Sequence, residues 1–131
     1  MSNRIIDGLP AAKAVTAIPV YSLVYHNGTG WAIASATDVA TGIAMRSVNS
    51  GETLQPRPLS PGLLAVGIAT AAIAANTDVV QDASGQIKTK PTSGGGTARL
   101  VGHTLDDTAN NAGDWVEYVP YGVSQLITIA P

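Results

Sequence analysis

Val20-Tyr21-Ser22-Leu23-Val24-Tyr25-His26-Asn27-Gly28-Thr29-Gly30-Trp31-Ala32-Ile33-Ala34 decides the fold class. Its first six residues are rich in β-branched and aromatic side chains, which suit a pleated, half-buried strand. Asn27-Gly28-Thr29-Gly30 then supplies positions that accept positive φ, and Trp31 to Ala34 returns, so the stretch predicts a β-hairpin. Asn27-Gly28-Thr29 also matches a glycosylation sequon, but the turn chemistry of Asn-Gly accounts for it.

Outward from this hairpin, Gly, Pro, Asn and Ser punctuate the chain at intervals that suit short strands joined by turns and leave little room for long helices. Gly42 to Val48 alternates, Asn49 to Glu52 turns and Thr53 to Gln55 returns, predicting a second hairpin before the prolines at 56, 58 and 61. Leu63 to Ile68 reads as a strand. Thr70 to Ala75 reads as a turn or a single helical turn, because alanine favours helix while the nearby glycines and β-branched residues oppose it. Thr77 to Asp82 and Gln86 to Thr89, around Ala83-Ser84-Gly85, predict a third hairpin. Pro91 to Thr97, with glycines at 94 to 96, reads as a flexible loop. Ala98 to Leu105 and Asp114 to Val119 frame a polar turn, and Gln125 to Ile129 adds a last strand.

The chain also runs in two parallel halves. Pro19 to Gly28 aligns without a gap on Asn76 to Gly85, Gly42-Ile43-Ala44-Met45 on Gly102-His103-Thr104-Leu105, and Gly51-Glu52-Thr53-Leu54 on Gly113-Asp114-Trp115-Val116. The expected architecture is all-β: a small β-barrel or β-clip-like domain of two similar units, residues 14–62 and 71–123, with little helix. Residues 1–13 form an N-terminal arm ahead of a single β domain, 14–131.

With 131 residues the chain has room for one ordinary domain, and 45% hydrophobic residues can build a core. The supply is mostly Ala, Val, Ile and Leu. There is no Phe, and Trp31 and Trp115 are the expected packing anchors. Such a thin core is marginal against chain entropy, which favours further burial against copies or partners. Cysteine is absent, so packing alone must hold the fold. Only 12% of residues are charged, with a net charge of -2, so no basic field exists for nucleic acid. Neither a signal peptide nor a membrane span is legible, and the expectation is a soluble protein made in the cytoplasm.

Chemistry is not legible either. No glycine precedes a lysine, so a phosphate-cradling loop is missing, and no serine has the Gly-x-Ser-x-Gly setting of a hydrolase. His26 and His103 lack metal-ligand spacing, and Asp106, Asp107 and Asp114 sit where turn carboxylates bond backbone N–H groups. Trp31, Trp115 and the tyrosines could stack bases or sugars, but without interleaved basic residues they read as packing. The expectation is no enzyme, no cofactor and no metal. Arg4, Ile5 and Ile6, an apolar pair in a terminal arm, are the candidate contact to a partner.

Two stretches carry a resemblance. Ala71 to Asp82 is an Ala-rich turn into a strand; Ala98 to Ala109, followed by Gly113-Asp114-Trp115-Val116-Glu117-Tyr118-Val119, is a Gly-led strand and acidic turn leading to Gly-Asp and an alternating strand. Over residues 14–123 the chain resembles small phage capsid decoration (cement) proteins, some labelled recombinase-like. The recombinase label does not carry over, since the phosphate loop is missing. The resemblance implies a homotrimer on the exterior of the virion capsid that binds the major capsid protein and stabilises the shell. The rival reading is a virion-displayed sugar- or peptide-binding β module using loops such as Thr92 to Thr97.

Overall fold

A computed structural model describes Leu9 to Pro131. It is nearly all β, with one sheet curled into a half barrel. Arg4, Ile5 and Ile6 lie outside the described residues. The strands are β1 (Ala12–Lys13), β2 (Leu23–His26), β3 (Trp31–Ile33), β4 (Gly42–Ile43), β5 (Thr53–Leu54), β6 (Arg57–Pro58), β7 (Ala65–Ile68), β8 (Asp78–Gln81), β9 (Ile87–Thr89), β10 (Thr97–His103) and β11 (Trp115–Thr128). A four-stranded sheet has the order β3-β2-β4-β6, a five-stranded one β7-β11-β10-β8-β9, and β1 pairs with β5.

The two halves match bond for bond. β2–β3 and β8–β9 are hairpins, and β4 and β10 pair antiparallel with β2 and β8. Parallel bridges Ala14–Trp31 and Ala69–Ile87 correspond, as do antiparallel bridges Ile18–Val48 and Ile73–Ala109. Ala14 N–H donates to Glu52 O while Ala14 O accepts from Gly51 N–H; Ala69 does the same with Asp114 and Gly113. Tyr21 and Asn76 share a rare positive φ, 69° and 54°. That pair places the Pro19 to Gly28 alignment two residues out of register: Tyr21, not Pro19, is the partner of Asn76. The correspondence begins at Ala12 and Gly67, which face Leu54 and Val116. Ala12 and Lys13, expected in the arm, are therefore strand residues.

Each unit closes the same small core. In the first, Ala14, Ile18, Val24, Trp31, Ala44, Val48 and Leu54 pack together. The counterparts Ala69, Ile73, Val79, Ile87, Ala109 and Val116 pack in the second. Trp31 is 1% exposed and its Nε1–H donates to Pro10 O at 3.0 Å. Ile87, the smaller residue at that bridge, leaves space that Tyr118 helps fill: a Cβ on Gly67 would sit 3.0 Å from the Tyr118 ring and 2.7 Å from Ile87 Cδ1. Tyr118, not Trp115, is the large buried anchor of the second unit. Trp115 is 58% exposed because it alternates with the inward Val116 and Tyr118 and so points out of the sheet.

The units join through the outer face of the first. Leu23, Ile43 and Leu59, at 1%, 1% and 4% exposure, pack into the second unit's core. Polar contacts reinforce the seam. Buried Gln81 donates from Nε2 to Ser35 O and Asp38 O, both at 2.8 Å, and Ser124 Oγ accepts from Ala40 N–H at 3.1 Å.

Gly42 and Gly102 hold equivalent places where a Cβ would strike the neighbouring strand: at Gly42 it would lie 3.0 Å from Arg57 O, and at Gly102 2.8 Å from the Tyr118 ring. Pro58 and Pro120 face these glycines. Proline is tolerated at 120 because that position turns its missing N–H toward β7, whose pairing has ended at Tyr118.

The expected second hairpin does not form, because β5 pairs with β1 and leaves β4 to β2 and β6. The reason is the duplication, which recruits Thr53–Leu54 to close the first core as Trp115–Val116 closes the second. Thr70 to Ala75 contains no helical turn; it bends at Thr70, Ala71 and Ala75 around the single Ile73–Ala109 bridge. Asp114 to Val119 and Gln125 to Ile129 belong largely to one strand, β11, which carries extra residues opposite Val101.

The anchors should separate in denaturant unfolding. Trp31→Ala is expected to cost about 3–5 kcal/mol and Trp115→Ala about 1 kcal/mol. The Tyr118 hydroxyl is buried without a hydrogen-bond partner. Tyr118→Phe, which removes that desolvated group and keeps the ring, should raise stability by about 1 kcal/mol.

Candidate functional site

Alternation along β11 and β7 sets the character of the second unit's outer face. Val116, Tyr118, Ala65 and Gly67 turn into the core, so Trp115, Glu117, Val119, Val66 and Ile68 turn outward. His103 lies opposite Val119 and Asp78 opposite His103, extending this face across β10 and β8. Leu64 and Tyr121, at 44% and 43% exposure, follow the same alternation, and Tyr21 meets Trp115 edge to face at 4.8 Å between ring centroids.

At the centre stands a polar cluster around Asp78. Asp78 Oδ1 accepts from the Tyr121 hydroxyl at 2.7 Å and from His103 Nδ1–H at 2.7 Å, since a carboxylate can only accept. His103 Nε2 is 2.8 Å from Asn76 Oδ1. The Tyr121 bond, then the His103 bond, lower the Asp78 pKa against an opposing burial effect, with further help from the charges of His103 and Lys90. The same bond pushes the Tyr121 phenol up to about 12.

These residues occupy telling positions. Leu23 faces Ile43 where Asp78 faces His103, and Leu59 follows Arg57 as Tyr121 follows Val119. The apolar triad that seals the seam in the first unit is thus a hydrogen-bonded triad on the open face of the second. The clue lay in aligning Gly42-Ile43 with Gly102-His103, where isoleucine gives way to histidine; the roles of Asp78, Asn76 and Tyr121 needed the strand register.

The other expected candidates serve local structure. His26 Nδ1 accepts from Gly28 N–H at 3.1 Å and its ring meets Trp31 edge to face. Asp107 accepts from Glu117 N–H, and Asp114 from the N–H groups of Asn110 and Asn111. Among the described residues no group of three or more His, Cys, Asp or Glu converges as a metal site. A cleft of about 280 Å³ beside the Gly94 to Gly96 loop is lined by Thr37, Gln81, Lys88, Ser93 and Thr97 among others. The Gln81 amide there is committed to the seam.

The network gives a pH signature with two limbs. Asp78 is depressed, so its contribution is present above its ordinary value of 3.8 and lost as pH falls through the folded pKa. Tyr121 is raised, so its contribution is present below 10 and lost as pH climbs toward about 12. Wild-type and Tyr121→Phe unfolding curves should converge between pH 10 and 12, and the variant should lose less stability below pH 4.

No family model matches the chain, and a comparison with curated proteins finds no match. Among solved structures it is similar to the head fiber gp8.5 N base of bacteriophage phi29. The TM-score is 0.66, over 88% of this chain and 95% of that one, at 16% sequence identity. At that identity the likeness is one of fold.

Proposed function

We propose that this chain is a structural protein of a phage head, a decoration protein that binds the capsid exterior and stabilises the shell by contact rather than catalysis. The observation that carries the reading is the fold shared with a head fiber base over nearly the whole length of both chains. The sequence resemblance to decoration proteins points the same way by a separate route. The physics is compatible: outside the Asp78 cluster, many polar side chains bond within turns or across the seam, while Leu63, Leu64, Leu105, Trp115 and Leu126 stand 44–60% exposed. Apolar surface buried across capsid-subunit boundaries would have to be exposed again when the subunits part. Many repeated contacts of this kind reinforce a shell, and a homotrimer would present three at once.

The rival sugar- or peptide-binding module draws on the cleft beside the triple-glycine loop, whose Thr37, Lys88, Ser93 and Thr97 offer polar groups. Two measurements separate the readings. Purified protein should cosediment with expanded empty heads and raise their disruption temperature by several degrees, while a glycan array stays blank. Glycan binding without head binding would overturn the decoration reading in favour of the rival.

A further inference from the structure

We infer that the outer face of the second unit is the contact face for another copy of this chain, seated head to tail on that copy's first unit. This rests on the homotrimer reading above and names the surfaces that would build it. Within one chain, the first unit's outer face is already such a contact: Leu23, Ile43 and Leu59 pack into the second unit's core cluster, which includes Ala65 and Tyr118. Duplication reproduces that face on the second unit, where the described residues leave Leu64, Trp115 and Tyr121 exposed.

The counterpart face has the character of a surface that is covered part of the time. Its rim is apolar, with Leu64, Val66, Ile68, Trp115 and Val119 half-buried or exposed. Its centre is polar, but the Asp78 carboxylate there accepts from both His103 and Tyr121. A carboxylate with two donors is far less costly to desolvate than an unpaired one, so this centre can face water in the free chain and be buried in an assembly. The occupant follows from the duplication. A face descended from one that seats on a unit of this fold is complementary first of all to another such unit.

The same correspondence identifies the receiving surface. Ala65 and Tyr118 share the core cluster that the seam residues enter, and carrying the β1–β5 register two residues further makes Pro10 and Pro56 their counterparts on the first unit. Pro56 is buried, so the surface open to a second copy is the exposed Pro10 with half-buried Leu9 and Ala12 beside it. Contacts made from one end of a copy to the other end of the next close into a ring when the rotation allows, and three copies would place six similar units in succession.

The test uses the full chain. Sedimentation should give a species about three times the 13.3 kDa chain mass. Val66→Lys, which sets an opposite charge against Glu117 across the strand pair, and Trp115→Ser should each reduce it to the monomer mass with unchanged far-UV circular dichroism. Leu126→Lys, on an exposed position of the distal part of β11, should leave it intact. Because the chain has no cysteine, Leu64→Cys combined with Pro10→Cys and a short bis-maleimide should yield a covalent ladder up to the trimer, and Leu64→Cys alone should yield none. A monomeric wild type would overturn the oligomer reading itself. An oligomer that survives both face variants, or a dimer cross-linked through Leu64→Cys alone, would leave that reading standing and overturn the head-to-tail contact.

Discussion

The fold depends on the seam where Leu23, Ile43 and Leu59 of the first unit enter the core of the second. Each unit alone closes over a handful of aliphatic residues around one aromatic ring, too little apolar burial to offset the conformational entropy of some fifty ordered residues. Three large side chains buried across the seam contribute about 1.5–3 kcal/mol each by area. They join what would be two marginal cores into one cooperative structure. The polar contacts then fix the geometry: Gln81 reaches across to Ser35 and Asp38, and Ser124 to Ala40, so sliding along the apolar surface would leave buried amide and carbonyl groups unpaired.

Much of this architecture was legible because turn chemistry and alternation are local. Asn27-Gly28 and Ala83-Ser84-Gly85 mark the hairpins β2–β3 and β8–β9, and Gly51-Glu52 aligns with Gly113-Asp114 in the register the hydrogen bonds adopt. Partner choice was not legible where two strands compete for one neighbour. Thr53–Leu54 looks like the return arm of a hairpin from Gly42, yet it pairs with Ala12–Lys13 because that closes the first core. The displaced repeat alignment has a similar origin. Setting Pro19 to Gly28 on Asn76 to Gly85 matches Gly28 with Gly85, turn residues of unlike loops, and misses the backbone kink shared by Tyr21 and Asn76, which no side-chain pattern announces. Trp115 failed as an anchor for a one-residue reason. Period-two alternation gives the inward direction to Val116 and Tyr118, and size cannot override the pleat.

The units have diverged where their neighbours differ. Trp31 fills the first core from β3. In the second, Ile87 takes the bridge position and Tyr118 enters from β11, where the first unit has Pro56. The volume is supplied from opposite walls. The edge strands diverge as well: Pro56, Pro58 and Pro61 keep the first unit's outer strand to two residues, whereas β11 continues past Pro120 to Thr128. Proline withholds a ladder donor, so the first unit offers little edge for unwanted strand addition.

The exchange of Leu23, Ile43 and Leu59 for Asp78, His103 and Tyr121 follows the same logic. An aliphatic triad suits a contact made once, during folding, and never reopened. The same triad on an outward face would be a standing invitation to aggregate before assembly. A lone carboxylate there would stay soluble but would cost several kcal/mol to bury. Pairing Asp78 with two donors satisfies both demands, because the carboxylate keeps those bonds whether or not water covers it. A face built this way can be stable in the free chain and still be available for burial, as the contact inferred above would require.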